Sequence, residues 1–301
     1  MEIKKLAAID IGSNAVRLLI SNIVERANTP THYQKSSLVR VPIRLGADAF
    51  TTGIISEQNI SRMADAMLAF KLIMGVHGVE KFKACATSAM REAKNGQEVV
   101  AAIYEKTGVA IEIIDGRKEA SIIASTNLNE LLKADHSYLY VDVGGGSTEF
   151  TFFSGGKIVC SRSIKLGTVR QISDAKKQQV LRELEHWIKE KSSAMNAVEL
   201  IGSGGNINNI FKTSGKAEGT PLTLSYLKRR FNYLQQLSYE DRIYELDLKP
   251  DRADVIIPAI QIYIDAMKWS GATRIHVPKI GLSDGIIKRL HQGKLQGNTT
   301  L

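Results

Sequence analysis

The sequence predicts an α/β protein of two duplicated domains with a cleft between them, and three observations carry that prediction. Apolar strand patterns alternate with helical ones along the chain, as α/β layers require. A strand–turn–strand signature occurs twice, as LAAIDIGSNAVRLLI around Asp10 and LYVDVGGGSTEFTFF around Asp142. Each copy reads as apolar strand, Asp, one residue, Gly, small polar turn and second strand. The two aspartates stand 132 residues apart, about one domain. Finally, 301 residues exceed what a single core usually fills. The expected domains are 1–121 and 122–301, the tail from about 287 being the segment that could rejoin the first.

The elements follow from periodicity and caps. Alternation predicts strands over 3–10 and 15–23, around the turn Gly12-Ser13-Asn14. A helix starts at the cap Ser56 and buries Ile60, Met63, Met67, Phe70 and Met74 before stopping near Gly75 and Gly78. Methionines at that spacing are core residues, not a cofactor box. A strand over 82–86, a helix near 95–106, a strand over 110–114 and a helix after Gly116 complete the first half. The second half opens with strands over 138–142 and 149–153. Its longest helix spans 175–196, and a glycine turn at 202–205 leads to a helix from Asn206. Further helices cover 223–236 and about 251–270.

Composition excludes several classes. Hydrophobic residues at 44% and charged residues at 24% are ordinary for a globular chain. No apolar run approaches the ~18 residues of a membrane span. The opening MEIKKLAAIDIG carries Asp10 within its apolar stretch and reads as a strand rather than a signal peptide. Only Cys85 and Cys160 occur, without CxxC spacing, which excludes a disulfide scaffold and suits a cytoplasmic location. The net charge of +9 is unevenly spread. Residues 1–150 hold 17 basic and 17 acidic side chains, whereas 151–301 hold 23 and 14. That surplus favours a polyanionic partner. No zinc finger, basic zipper or RNP-type aromatic pattern points to specific nucleic-acid binding.

Turns rich in glycine and hydroxyl groups offer converging backbone N–H groups, a nest suited to phosphate oxygens. Ser13, Ser147 and Thr148 are expected to add donors. Asp10 and Asp142 would repel a phosphate alone, so their place beside the nests implies a hard divalent cation such as Mg²⁺ between carboxylate and phosphate. One D-x-G hairpin could be an ordinary turn. Two, at the same place in each half, are harder to dismiss.

Those hairpins resemble the actin/Hsp70/sugar-kinase superfamily. The set DIGSNAVRLLI, ATSAMREAKN at 86–95, IIDGRKEA at 113–120, DVGGGSTEF at 142–150 and RADVIIPA at 252–259 resembles the Ppx/GppA family of exopolyphosphatases and guanosine pentaphosphate phosphatases. The likeness extends over nearly the whole chain. It implies two actin-like (ribonuclease H-like) domains, and Glu119 as the catalytic glutamate that activates water. Asp10, Asp142 and Glu149 would attend the metal, Mg²⁺ or its substitute Mn²⁺. Ser13, Asn14, Gly144, Gly145, Gly146, Ser147 and Thr148 would form the phosphate loops, with Arg91 and Arg17 on phosphate oxygens. The substrate would be inorganic polyphosphate or guanosine pentaphosphate, and a homodimer is the family's usual state. Lys118 stands where an acidic residue usually precedes the glutamate, Ala15 replaces a serine, and GLSDG at 281–285 replaces Gly-Leu-Arg-Glu-Gly. Alternatives are an ATP-dependent sugar or acid kinase of the same superfamily and a non-catalytic protein that binds polyphosphate or an alarmone. Gly202–Gly205 could bind a further anion or simply turn the chain. Lys165 and Arg162 could line a path for a polyanion.

Overall fold

The computed structural model describes residues 1–126 and 135–299. The chain divides into two compact units, Met1–Thr126 with Gly281–Leu301, and Asn127–Ile280. Elements are numbered in chain order. The first unit contains β1 (Glu2–Ile11), β2 (Val16–Glu25), β3 (His32–Val41), α1 (Leu45–Ala49), α2 (Glu57–His77), β4 (Lys81–Ala86), α3 (Ser88–Glu92), α4 (Gly96–Thr107), β5 (Ile111–Ile113) and α5 (Gly116–Ala124), then α12 (Leu282–His291) and β12 (Asn298–Thr299). The second contains β6 (Ser137–Val143), β7 (Thr148–Ser154), β8 (Lys157–Ile164), α6 (Asp174–Ser193), β9 (Val198–Ser203), α7 (Gly205–Lys212), β10 (Leu222–Thr223), α8 (Leu224–Gln236), α9 (Tyr239–Tyr244), α10 (Pro250–Ala253), α11 (Ile256–Ser270) and β11 (Arg274–His276).

The two sheets share one plan. In the first unit the order is β3-β2-β1-β4-β5, with β1 to β3 an antiparallel meander and β4 and β5 parallel to β1. In the second it is β8-β7-β6-β9-β11, again a three-strand meander followed by two parallel strands. β12 and β10 extend the far edges as short antiparallel additions. The α/β class and the duplication are therefore present in the strand order itself. The meanders have three strands where the sequence predicts two. β3 and β8 are edge strands with no buried residue except Ile164, so neither carries the clean apolar alternation that marks a half-buried strand.

Local chemistry explains most helix bounds. Ser56 caps α2 by accepting from the Asn59 N–H, and Gly78 ends it at φ 68°, a left-handed stop suited to glycine. The expected helix over 251–270 is instead broken into α10 and α11. Restarting at Ile256 puts Pro258 in the first turn of α11, where its missing N–H leaves no intrahelical bond unmade.

Each unit has its own core. In the first, Ala7, Ile9 and Ile11 of β1 pack with Met63, Met67, Phe70 and Met74 of α2. Leu6, Ala8 and Asp10 alternate to the opposite face of β1, and α12 packs on β1, β2, β4 and α5. In the second, Leu139, Val141 and Val143 of β6 join the core built with Ile260, Tyr263 and Met267 of α11, leaving Tyr138, Tyr140 and Asp142 on the other face. No helix among the described residues is long and apolar enough to cross a membrane.

Asp48, at the foot of α1, ties that helix to α2. Its Oδ2 accepts from Ser56 N at 2.9 Å, Ser56 Oγ at 2.6 Å and Asn59 Nδ2 at 2.8 Å. Burial pulls its acidity upward in pKa, but these hydrogen bonds and the Arg62 charge outweigh it and hold the carboxyl below its ordinary value. An acid with a depressed folded pKa stabilises above its unfolded value and loses that contribution as pH falls through the folded one. Asp48→Asn is thus expected to lower the unfolding midpoint at pH 7, with the gap to wild type closing below about pH 4. A gap of equal size at pH 7 and pH 3 would show that the ionised carboxylate is not its source.

Candidate active site

The two hairpin turns are built alike. Gly12 N donates to Ala15 O at 3.1 Å and Gly144 N donates to Ser147 O at 3.0 Å. Asp10 lies opposite Arg17 in the first ladder, and Asp142 opposite Glu149 in the second. The repeat continues past the third strand. Ile43 N bonds to Val41 O just after β3, as Leu166 N bonds to Ile164 O just after β8. From there the chain closes on the hairpin: Gly46 N donates to Ser13 O at 2.7 Å and Arg44 N to Asn14 O at 3.1 Å. In the second unit Thr168 N donates to Gly144 O at 3.1 Å, and Val169 N and Arg170 N to Gly145 O at 2.8 and 3.1 Å.

That arrangement decides which way the glycine loop faces. A trans peptide points its C=O and the following N–H in opposite directions. With the carbonyls of Gly144, Gly145 and Gly146 all accepting from residues 168–170, the N–H groups of Gly145, Gly146 and Ser147 turn the other way together. Three successive N–H groups on one side are a nest for anionic oxygens.

The hydroxyl groups behave differently from the sequence expectation. Ser13 is buried and shares a 3.0 Å hydrogen bond with Ser88 at the start of α3. Thr148 is fully buried and donates to Leu166 O at 2.6 Å. Ser147 donates to Glu149 Oε1 at 2.6 Å. Each of these side chains fastens its loop inward, because a buried hydroxyl must find a partner in the fold. The outward donors are backbone groups. Asn14 gives its carbonyl to Arg44, as noted above.

The carboxylates sit in contrasting surroundings. Asp10 is buried, at 8% exposure, with Arg17 Nη1 3.5 Å from its Oδ2. Burial pushes its carboxyl above the ordinary range, and the Arg17 charge offsets this only in part. Asp142 accepts from Ser203 Oγ at 3.2 Å and Tyr140 OH at 3.4 Å, both on Oδ2. Burial, and then the Asp142 charge, hold the Tyr140 phenol far above its usual pKa, so it serves as a neutral donor. Tyr263 OH bonds to Ser203 O. Gly204 follows at φ 110°, and a Cβ there would stand 3.0 Å from Val143 O and 3.3 Å from Asp142 Oδ1. Glu149 is buried, its Oε1 accepting from Ser147 and from Ser163 at 3.1 Å.

Glu119 lies in the first turn of α5, whose cap Asp115 accepts from Lys118 N at 2.7 Å. It is 9% exposed, so it is not the solvent-facing helix-start glutamate that the dipole alone would favour. Arg91, in the last turn of α3, donates from Nη1 to Ile114 O at 2.6 Å, one residue before that cap. The first unit thus gathers Ser13, Ser88, Arg91 and α5 around the ends of β1, β4 and β5. Lys118 turns away to Glu112, which also meets Lys83 at 2.8 Å. In the departing GLSDG piece, Asp284 caps its helix by accepting from Gly281 N at 3.0 Å and pairs with Lys35 at 2.8 Å. At 202–205 the chain passes from β9 into α7, and Arg252 Nη1 donates to Gly205 O at 2.7 Å.

Sequence reasoning missed Ser88, Tyr140, Ser203 and Arg170. Ser88 and Ser203 lie inside motifs that had been noticed, TSAMR and GSGG. Tyr140 reads as a core strand residue, and Arg170 as one more surface charge.

Among the described residues, no group of three or more His, Cys, Asp or Glu could hold a metal ion alone. Mg²⁺ does not require one, since it keeps waters and takes only one or two carboxylates plus phosphate oxygens. The donor set fits such an ion. Asp142 and Glu149 are two carboxyl groups directly opposed across a ladder, the number and kind of protein ligands Mg²⁺ takes.

Comparison with known proteins places the chain in a class. The family model of the Ppx/GppA phosphatase family matches residues 27–293, and the chain belongs to that family. Exopolyphosphatase 2 of Mycobacterium tuberculosis is 30% identical over 178 residues, 56% of this chain and 54% of that protein. The chain spans about half the length of the relatives it matches at that level. Exopolyphosphatase 1 of Mycobacterium bovis is 20% identical over 99% of this chain and 91% of its own. Among solved structures, an exopolyphosphatase from Cytophaga hutchinsonii superposes with a TM-score of 0.83 at 23% identity, covering 98% of this chain and all of that one. A Ppx/GppA family member from Aquifex aeolicus gives 0.74 at 24% identity, with 98% and 100% covered. At those identities the two structures fix the fold.

Facing carboxylates make a metal test possible. Mg²⁺ is expected to raise the unfolding midpoint of the wild-type protein. Glu149→Gln keeps an oxygen to accept from Ser147 and Ser163 and is expected to gain less from Mg²⁺ than the wild type. A shift as large in the variant as in the wild type would remove Glu149 from the cation's ligands.

Proposed function

We propose that the protein is a Mg²⁺-dependent phosphoanhydride hydrolase that releases terminal orthophosphate from inorganic polyphosphate. The 5′ γ-phosphate of guanosine pentaphosphate is the second candidate substrate, and the basic surplus of residues 151–301 favours polyphosphate of the two. The single observation that carries this reading is the nest at 145–147, three backbone donors turned one way by a backing segment that takes every carbonyl behind them. Family membership supplies the reaction class.

Phosphoanhydride hydrolysis demands little covalent chemistry from a protein. The terminal phosphoryl group must be positioned, its oxygens neutralised and a water aimed in line. In this reading the N–H groups of Gly145, Gly146 and Ser147 hold phosphate oxygens, each charge-assisted bond contributing roughly 1.5–3 kcal/mol. Arg91 adds charge in the first unit. Glu119 accepts a proton from the attacking water as its oxygen bonds to the terminal phosphorus. The bond from that phosphorus to the bridging oxygen then breaks, leaving orthophosphate and a chain one residue shorter. In the second unit Asp142 and Glu149 are the residues that would hold Mg²⁺, which when bound would offset negative charge on the phosphate oxygens.

Phosphate release measured on long-chain polyphosphate and on guanosine pentaphosphate, with Mg²⁺ or Mn²⁺ present, tests the proposal. Turnover of polyphosphate that falls steeply with added salt is expected, since many screened contacts would be lost. Inactivity on both substrates would sink it, and binding without turnover would favour a sensor instead. Glu119→Gln is expected to lower kcat by about 10²–10⁴ while substrate binding survives. Near-normal turnover in that variant would take Glu119 out of the mechanism.

A further inference from the structure

Both hairpins are backed by backbone hydrogen bonds, and in the second a side chain joins them. In the first unit Ser13 O and Asn14 O accept from the backbone N–H groups of Gly46 and Arg44. In the second, the last carbonyl of the glycine run is taken by a side chain: Arg170 Nε donates to Gly146 O at 2.5 Å. The same residue's N–H bonds to Gly145 O, so Arg170 grips two successive peptides of the loop. The contact is close throughout. A Cβ at Gly167 would lie 2.3 Å from Gly145 O and 2.6 Å from Gly146 C, so only glycine lets the backing segment lie flat against the loop. Thr148 Oγ1, bonded to Leu166 O, closes the other end.

We propose that Arg170 is a positioning residue for phosphate binding, acting through the Gly146 peptide. Its hydrogen bond fixes the direction of Gly146 C=O and therefore that of Ser147 N–H, the third donor of the nest. The guanidinium Nε meets the loop on its carbonyl side, opposite the side to which the N–H groups point. Through Nε, Arg170 therefore holds the loop from behind. A basic residue that looks like part of a surface cluster with Arg162 and Lys165 in sequence is assigned a separate role by this geometry.

This inference rests on the proposed phosphate-binding reading, and the test separates the two. Glutamine carries its amide nitrogen the same number of bonds from Cα as the arginine Nε, but no charge. Dissociation of inorganic phosphate, and KM and kcat on polyphosphate, would be measured for the wild type, Arg170→Ala and Arg170→Gln, with the phosphate-free unfolding midpoint as a check of folding. Arg170→Ala is expected to weaken phosphate binding and raise KM by about 10-fold or more, since the side-chain bond that orients the Gly146 peptide is lost. Arg170→Gln should recover most of that loss. Wild-type affinity in Arg170→Ala would overturn the proposal. So would a loss in Arg170→Gln as deep as in Arg170→Ala with both variants folded, because charge rather than the bond to Gly146 would then matter. A wild type that hydrolyses neither substrate, yet binds phosphate and loses it in Arg170→Ala, would refute the hydrolase reading alone. A wild type that does not bind phosphate would remove both.

Discussion

A peptide group cannot turn its carbonyl one way and the next N–H the same way, and the second hairpin is organised around that constraint. Because the carbonyls of Gly144, Gly145 and Gly146 are bonded to residues 168–170, the following N–H groups have one direction left. The side-chain hydroxyls of Ser147 and Thr148 are drawn inward to Glu149 and Leu166 and stiffen the turn. Pre-orientation of this kind places the ordering cost in folding rather than in ligand binding.

Duplication preserved this geometry more faithfully than it preserved residue types. The turn bond, the bond just after the third strand and the return of the chain onto the hairpin recur in both units. The ladder partner of the aspartate does not. Arg17 faces Asp10 and partly offsets a carboxyl that burial has pushed toward its neutral form. Glu149, a second carboxyl group, faces Asp142. The first aspartate thus has a basic ladder partner and the second an acidic one. The two halves have equivalent backbones and different electrostatics.

Much of this was legible in the residues, and the exceptions have physical causes. α2 could be read from Ser56, its methionine stripe and Gly78 because cap, core face and stop all agree. Both D-x-G turns were visible because glycine at a tight turn leaves a signature. β3 and β8 were hidden by exposure, as sheet edges need no apolar face. β9 was recognised only at its glycine end, and the break between α10 and α11 turned on Pro258. Within the site, the residue types were legible but their hydrogen-bond partners were not. Ser13 pairs with Ser88, 75 residues away, and Ser203 reaches Asp142 across 61. A local pattern can show that a hydroxyl is present; only the sheet order decides what stands beside it.

Glu119 shows how far such distant contacts matter. In sequence it occupies the first turn of a helix, a position where an exposed glutamate is favoured and unremarkable. Its burial belongs to α5 as a packed element, and α5 is covered by α12, which arrives more than 150 residues later. The approach is so tight that a Cβ at Gly285 would lie 2.2 Å from Ile122 O, so the helices meet there through glycine. Asp284, bonded to Gly281 N and Lys35, fixes the start of the covering helix. A carboxylate taken from water costs several kcal/mol unless its surroundings compensate, and that cost is accepted only where the group is held for a purpose or a partner. The departures at Ser283 and Asp284 thus lie in the helix that packs on α5, the element that carries Glu119, even though they are far from it in the chain.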